Sequence, residues 1–149
     1  MTKWVGQYFK DDEFACQCGC GAKLVHLRLV EILDSARKIL RTPLEITSGV
    51  RCLKHNDDVG GKPNSYHKPL AFAVDGSSLD LGFAADVTFA KAHQRQMINI
   101  ARLYIALEKA GRPTNIGLGL YKTWVHVDVR GLMQQPSARW ASGFPWPRL

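Results

Sequence analysis

The chain has 149 residues, 46% of them hydrophobic and 22% charged, which fits one domain with a core of its own and excludes a disordered polymer. No apolar run approaches the roughly 20 residues of a membrane span; the nearest, Ile98 to Leu107, is interrupted by Arg102. A net charge of +7 draws polyanions to a surface, with nucleic acid and an acidic cell wall as candidate partners and plain solubility as the simpler reading.

In chain order, the opening MTKWVGQYFKDDEF has no basic start, apolar middle or small-residue cleavage site, so the expectation is a chain that is cytoplasmic as synthesised. Tyr8 to Gly21 reads as a loop whose Phe9 and Phe14 plug the core. Within it Cys16, Cys18 and Cys20 alternate, and a fourth cysteine, Cys52, follows Arg51. Disulfides are uncommon in the cytosol, so these read as thiols or a metal clip. A structural zinc site of Cys16, Cys18, Cys20 and Cys52 stands beside free thiols or one disulfide, because ligands two apart are closer than the usual zinc spacing.

Leu29, Ile32, Leu33, Ala36, Ile39 and Leu40 recur at helical spacing and predict a helix over Leu27 to Leu40, ended by Pro43. Leu44 to Thr47 reads as a short strand and Asn56 to Tyr66, rich in Gly, Asn, Asp and Pro, as an irregular loop with His67 at its end. Two strand-like runs then flank the turn signal DGSS, and the second, Gly82 to Phe89, sets Asp86 among small and apolar neighbours. A carboxylate there is costly to bury unless it meets a metal or a partner.

A second helix is predicted over Lys91 to Ala110, with Met97, Ile100, Ala101, Tyr104 and Leu107 as its core stripe and Gly111 and Pro113 as its stop. NIGLGLY and WVHVDVRG read as an antiparallel hairpin. Alternation in a strand puts Val125, Val127 and Val129 on one face and Trp124, His126, Asp128 and Arg130 on the other. After Gly131 the tail reads as an irregular wrap whose Trp140 and Trp146 cover apolar surface. The elements predict one α+β domain over residues 1–149, a small antiparallel sheet flanked by helices.

Catalytic zinc takes three protein ligands and leaves a position for water. His67, Asp86 and His126 supply such a set from a loop and two strands, and Arg51 offers a planar fork for an anionic substrate. Taken alone, these residues read first as unconnected surface and core side chains. His26 and His93 read as exposed, and His55 as a residue that shapes the site.

The blocks SGVRCLKHNDDVGGKPNSYH, LGFAADV and GLGLYKTWVHVDVRG, in this order, resemble the zinc D-Ala-D-Ala carboxypeptidase family of peptidoglycan peptidases. That family belongs to the wider group that includes lysostaphin-type enzymes and the hedgehog signalling domain. The resemblance runs from EFACQCGCG through Trp140. It implies a hedgehog-like α+β fold and a zinc ion held by His67, Asp86 and His126. It also implies a substrate carboxylate bound by Arg51, and Ser65 beside the substrate or the metal.

The implied activity is zinc-dependent hydrolysis of amide bonds in peptidoglycan stem peptides, as a DD-carboxypeptidase or endopeptidase. A phage endolysin-like, monomeric member acting in wall lysis is the expectation. The alternatives are a non-catalytic zinc-bearing wall-binding module of the same fold and, less favoured, a basic nucleic-acid-binding protein, which leaves the matching blocks unexplained.

Two departures from the family's pattern are visible. His67 and Asp86 stand further apart than usual, so Pro69 to Asp80 reads as an extra segment, expected to form a lid or substrate wall; loop closure tolerates such length. Asp86 is preferred to Asp75 and Asp80 as the ligand because it alone keeps the GFAAD context. Thr123 stands where members place a carboxylate, and Asp128 is the nearest replacement as general base. Asp128 also reads as a residue that orients a ligand or pairs with Arg130, or as a zinc ligand with His126 moving the proton.

Overall fold

Helix α1 (Leu27–Leu40) forms over the residues that its periodicity predicts, burying Leu29, Val30, Ile32, Leu33 and Ala36. Ile39, expected on that stripe, is about half exposed, at 51%. The His26 ring nitrogen accepts a hydrogen bond from the amide of Arg28 and so caps the start, and Arg41 closes the end in a left-handed conformation, two residues before Pro43. The computed structural model describes residues 2–74 and 77–143. Asp75 and Trp146, and with Asp75 part of the DGSS turn, lie outside the described residues.

After α1 comes strand β1 (Leu44–Ser48), then a short helix α2 (Leu53–Asp58), where the sequence predicts the start of an irregular loop. Strands β2 (Leu70–Val74) and β3 (Ser77–Leu81) pair antiparallel as a two-stranded sheet of their own. The extra segment is therefore largely a hairpin. The run expected from Gly82 forms strand β4 (Ala84–Phe89), and the strand paired with β2 is β3, not β4.

Helix α3 (Met97–Gly111) begins six residues later than expected, after a 3-10 turn at Ala92–Gln94. Its buried stripe is Ile100, Leu103, Ala106 and Leu107; Met97 is 37% exposed and Tyr104 lies at the margin of the core. Strands β5 (Gly117–Leu120) and β6 (Val125–Asp128) make the predicted hairpin. The tail, expected to be irregular, adds strand β7 (Ala138–Ala141), which pairs parallel to β5.

The main sheet runs β1-β4-β6-β5-β7, antiparallel except at its last pair, so it is mixed and not wholly antiparallel. Helices α1 and α3 pack on each other, and α3 also packs on β5 and β6. Val125, Val127 and Val129 meet the buried helix residues in one core. The other face of β6, carrying His126 and Asp128, is left for the site.

Candidate metal centre and cleft

The site follows one row of side chains across the main sheet. Cross-strand register sets Ser48 opposite Asp86, Asp86 opposite His126, His126 opposite Gly119 and Gly119 opposite Trp140. Facing partners in adjacent antiparallel strands bring their Cβ atoms within about 5.5 Å of each other. Asp86 and His126 therefore meet because β4 and β6 pair in this register, and the valine face of β6 fixes that register by burial.

His67 arrives from the loop before β2 and is buried, with 1% exposure. The amide of Arg51 donates to the His67 carbonyl at 2.8 Å, and the Nδ1–H of His67 donates to the Gly49 carbonyl at 2.7 Å. That second bond leaves Nε2 with its lone pair, 3.3 Å from Asp86 Oδ1. His126 presents Nδ1 to the same carboxylate oxygen at 3.1 Å.

Donor atoms about 2.0–2.1 Å from a tetrahedral zinc ion stand about 3.3 Å apart. The measured separations of 3.3 and 3.1 Å match that spacing, and two imidazoles with one carboxylate are a donor set that suits zinc. The residues present thus fit the ion. Burial alone would raise the pKa of Asp86, but hydrogen bonds from His126 and His67 outweigh it and hold the carboxyl well below its usual range. Burial would lower His126, yet its two carboxylate partners raise it.

Asp128 lies behind His126, wholly buried. The Nε2–H of His126 donates to Asp128 Oδ2 at 2.8 Å. Arg130 closes a fork on both carboxylate oxygens at 2.8 Å, and the amides of Gly117 and Arg130 also donate to Oδ1. These bonds overcome burial and keep Asp128 ionised well below the usual carboxylate range. Gly117 is required here, because a Cβ at that position would stand 2.4 Å from Asp128 Oδ2. Asp128 does not line the cleft, so the geometry disfavours both the base reading and the reading in which Asp128 binds zinc. What it fits is the orientation of His126.

Above the three ligands lies a cleft of about 510 Å³ lined among others by Arg51, Ser65, Arg130 and Trp140. Arg51 donates to Ser65 Oγ at 3.3 Å, and Ser65 Oγ accepts from the amide of His67 at 3.2 Å, so one hydroxyl ties the arginine to the histidine loop. The Nε of Arg51 is buried with no hydrogen-bond partner among the described residues. Asp86 is the one carboxylate among the described lining residues.

Sequence reasoning missed the aromatic wall. Trp140, expected only as a cover for apolar surface, lines the cleft: its ring lies 5.2 Å from that of His126, and its indole N–H donates to the Tyr121 hydroxyl at 3.1 Å. Tyr121 stacks on Trp124 at 4.5 Å, and the Arg130 guanidinium sits over Tyr66 and Trp140 at 4.9 and 5.5 Å. The signal was the Gly-Leu-Gly of β5, since a Cβ on Gly119 would stand 2.4 Å from the Trp140 indole. His26 is half-buried against Phe83 and caps α1, so it is not the exposed residue expected; His93 is exposed, and His55 lies outside the described cleft lining.

A family model described as Peptidase M15 matches residues 7–128, a span that holds Arg51, Ser65, His67, Asp86, His126 and Asp128. No curated protein and no solved structure matches the chain.

Proposed function

Because the chain belongs to the M15 peptidase family, whose members are zinc peptidases of peptidoglycan, we propose that it hydrolyses amide bonds in stem peptides. The reaction is that of a DD-carboxypeptidase or endopeptidase, and His67, Asp86 and His126 hold the metal. The observation that carries this reading is the convergence of those three donors, at zinc spacing, on the floor of a cleft that also presents Arg51.

A zinc ion bound there supplies Lewis acidity toward the scissile carbonyl and toward water. The chain's own residues do the rest. The Gly49 carbonyl fixes His67 with Nε2 toward the centre, and Asp128 fixes His126 with Nδ1 toward it. Outer partners of this kind set the tautomer and raise the basicity of a ligand. Arg51, whose Nε has no partner among the described residues and which is tied to Ser65, receives the carboxylate of the peptide. Trp140 and Tyr121 give the substrate a flat wall beside His126.

Wall lysis in a phage setting, by a monomer, is the biological role that we propose for this activity. The net charge of +7 favours residence at an anionic wall.

A second reading rests on one observation: the cleft's described lining offers no carboxylate besides the ligand Asp86. Under that reading the chain binds the wall through its zinc centre and does not cut it. The His67→Ala variant separates the two. The proposal expects zinc retention to fail and hydrolysis of stem peptides to fall by at least about a thousandfold, the several kcal/mol that a Lewis acid supplies. Wild-type protein that holds zinc but cleaves no wall would favour the binding module.

A further inference from the structure

The four cysteines take no part in the cleft, yet the fold brings them together. None is in a disulfide, and their four Sγ atoms lie within 4.8 Å of one another. In an extended strand, alternate side chains would be spread along one side at intervals of about 7 Å. Here the segment curls. The amide of Cys16 donates to the Ala22 carbonyl at 2.7 Å, that of Gly19 donates to the Cys16 carbonyl at 3.1 Å, and Gly19 and Gly21 adopt φ of +82° and +88°. Those left-handed positions suit glycine and not other residues, and they explain how a Cys-X-Cys-X-Cys run converges despite its tight spacing.

Cys52 completes the cluster from the connection between β1 and α2. Its Sγ lies 3.6 Å from that of Cys18, which is 3.4 Å from that of Cys16. Sulfurs about 2.3 Å from a tetrahedral zinc ion stand about 3.8 Å apart, whereas a disulfide draws two of them to about 2.05 Å. Two backbone amides also aim at the sulfurs: that of Cys52 donates to Cys16 Sγ at 3.4 Å and that of His55 donates to Cys52 Sγ at 3.3 Å.

We propose that Cys16, Cys18, Cys20 and Cys52 hold a second, structural zinc ion that clamps the N-terminal segment to the connection carrying Gly49 and Arg51. The clamp lies on a seam that is already close. The amide of Val50 donates to the Phe14 carbonyl at 2.8 Å, and a Cβ on Gly49 would stand 2.5 Å from that same carbonyl oxygen. Gly49 orients His67 and Arg51 faces the cleft. The thiolate site therefore holds the strip of chain from which the catalytic centre takes one ligand's tautomer and its anion-binding arginine.

The test is a metal count on full-length protein purified under reducing conditions, with zinc and then cobalt as the probe. Wild type is expected to carry two zinc ions per chain. His67→Ala is expected to keep one, and its cobalt form to show strong thiolate-to-cobalt charge transfer in the near ultraviolet. Cys18→Ser with Cys20→Ser should halve the wild-type content and abolish that band. Metal-free His67→Ala protein with all four thiols open to a thiol reagent would overturn the proposal. So would a mass about two units low, which signals a disulfide, or a cobalt spectrum without thiolate bands. Should the catalytic site fail and this one hold, wild type would carry a single, thiolate-bound ion, so the two ideas fail separately.

Discussion

At the scale of single residues, two hydrogen bonds decide which nitrogen each histidine offers a metal. His67 spends Nδ1 on the Gly49 carbonyl, and His126 spends Nε2 on Asp128. The second bond separates two roles for Asp128. Asp128→Asn leaves His126 less firmly oriented and Arg130 without its counter-charge, so zinc affinity should fall about 10- to 100-fold. Excess zinc should then restore most of kcat, whereas loss of a general base would persist at saturating metal. The check is a zinc titration of activity in the variant. Alternation along WVHVDVR was enough to put His126 and Asp128 on one face. That Asp128 is sealed beneath the cleft was not legible, because it depends on Gly117 lying opposite it and on Arg130 folding back over it.

At the scale of elements, the sheet's register assembles the site, with Asp86, His126, Gly119 and Trp140 in one row across β4, β6, β5 and β7. The β2–β3 hairpin stands outside that row as a separate two-stranded sheet between His67 and Asp86. Replacing Ala71 to Asp80 by a short turn should therefore leave zinc content unchanged and alter kcat/KM toward intact wall more than toward a short peptide. Zinc content and the two rates on the same preparation check this, and loss of zinc would mean that the hairpin supports the ligands. Helix α1 and the β5–β6 hairpin were legible because their apolar periodicity is long or sharply alternating. Helix α2 has only six residues, LKHNDD, with no apolar stripe, and β7 is set by parallel pairing to β5, across the β6 strand and a 3-10 turn that intervene in the chain. Neither leaves a local pattern, so Trp140's place beside His126 could not be read from the tail.

At the scale of the whole molecule, metal, protons and stability are linked. His126 has a raised pKa in the metal-free fold, held between Asp86 and Asp128. The stability that it contributes there is fully present below its unfolded pKa and is lost as pH rises through the folded value. Zinc needs the deprotonated nitrogen, so its contribution runs the other way. The rise in Tm on adding zinc should therefore grow between about pH 5 and about pH 8, as thermal melts with and without the metal will show. His67, Asp86, His126, Arg51 and Ser65, picked out by resemblance from a loop, two strands and a connection, are brought by the fold to one cleft and its floor. Their distances and tautomers required the structure. The most direct measurement is mass spectrometry of purified peptidoglycan after incubation with the protein, with and without a zinc chelator. New amine and carboxylate ends that vanish with the chelator are the predicted result and identify the bond cut. No new ends from any wall type, with zinc confirmed in the protein, would contradict the peptidase account.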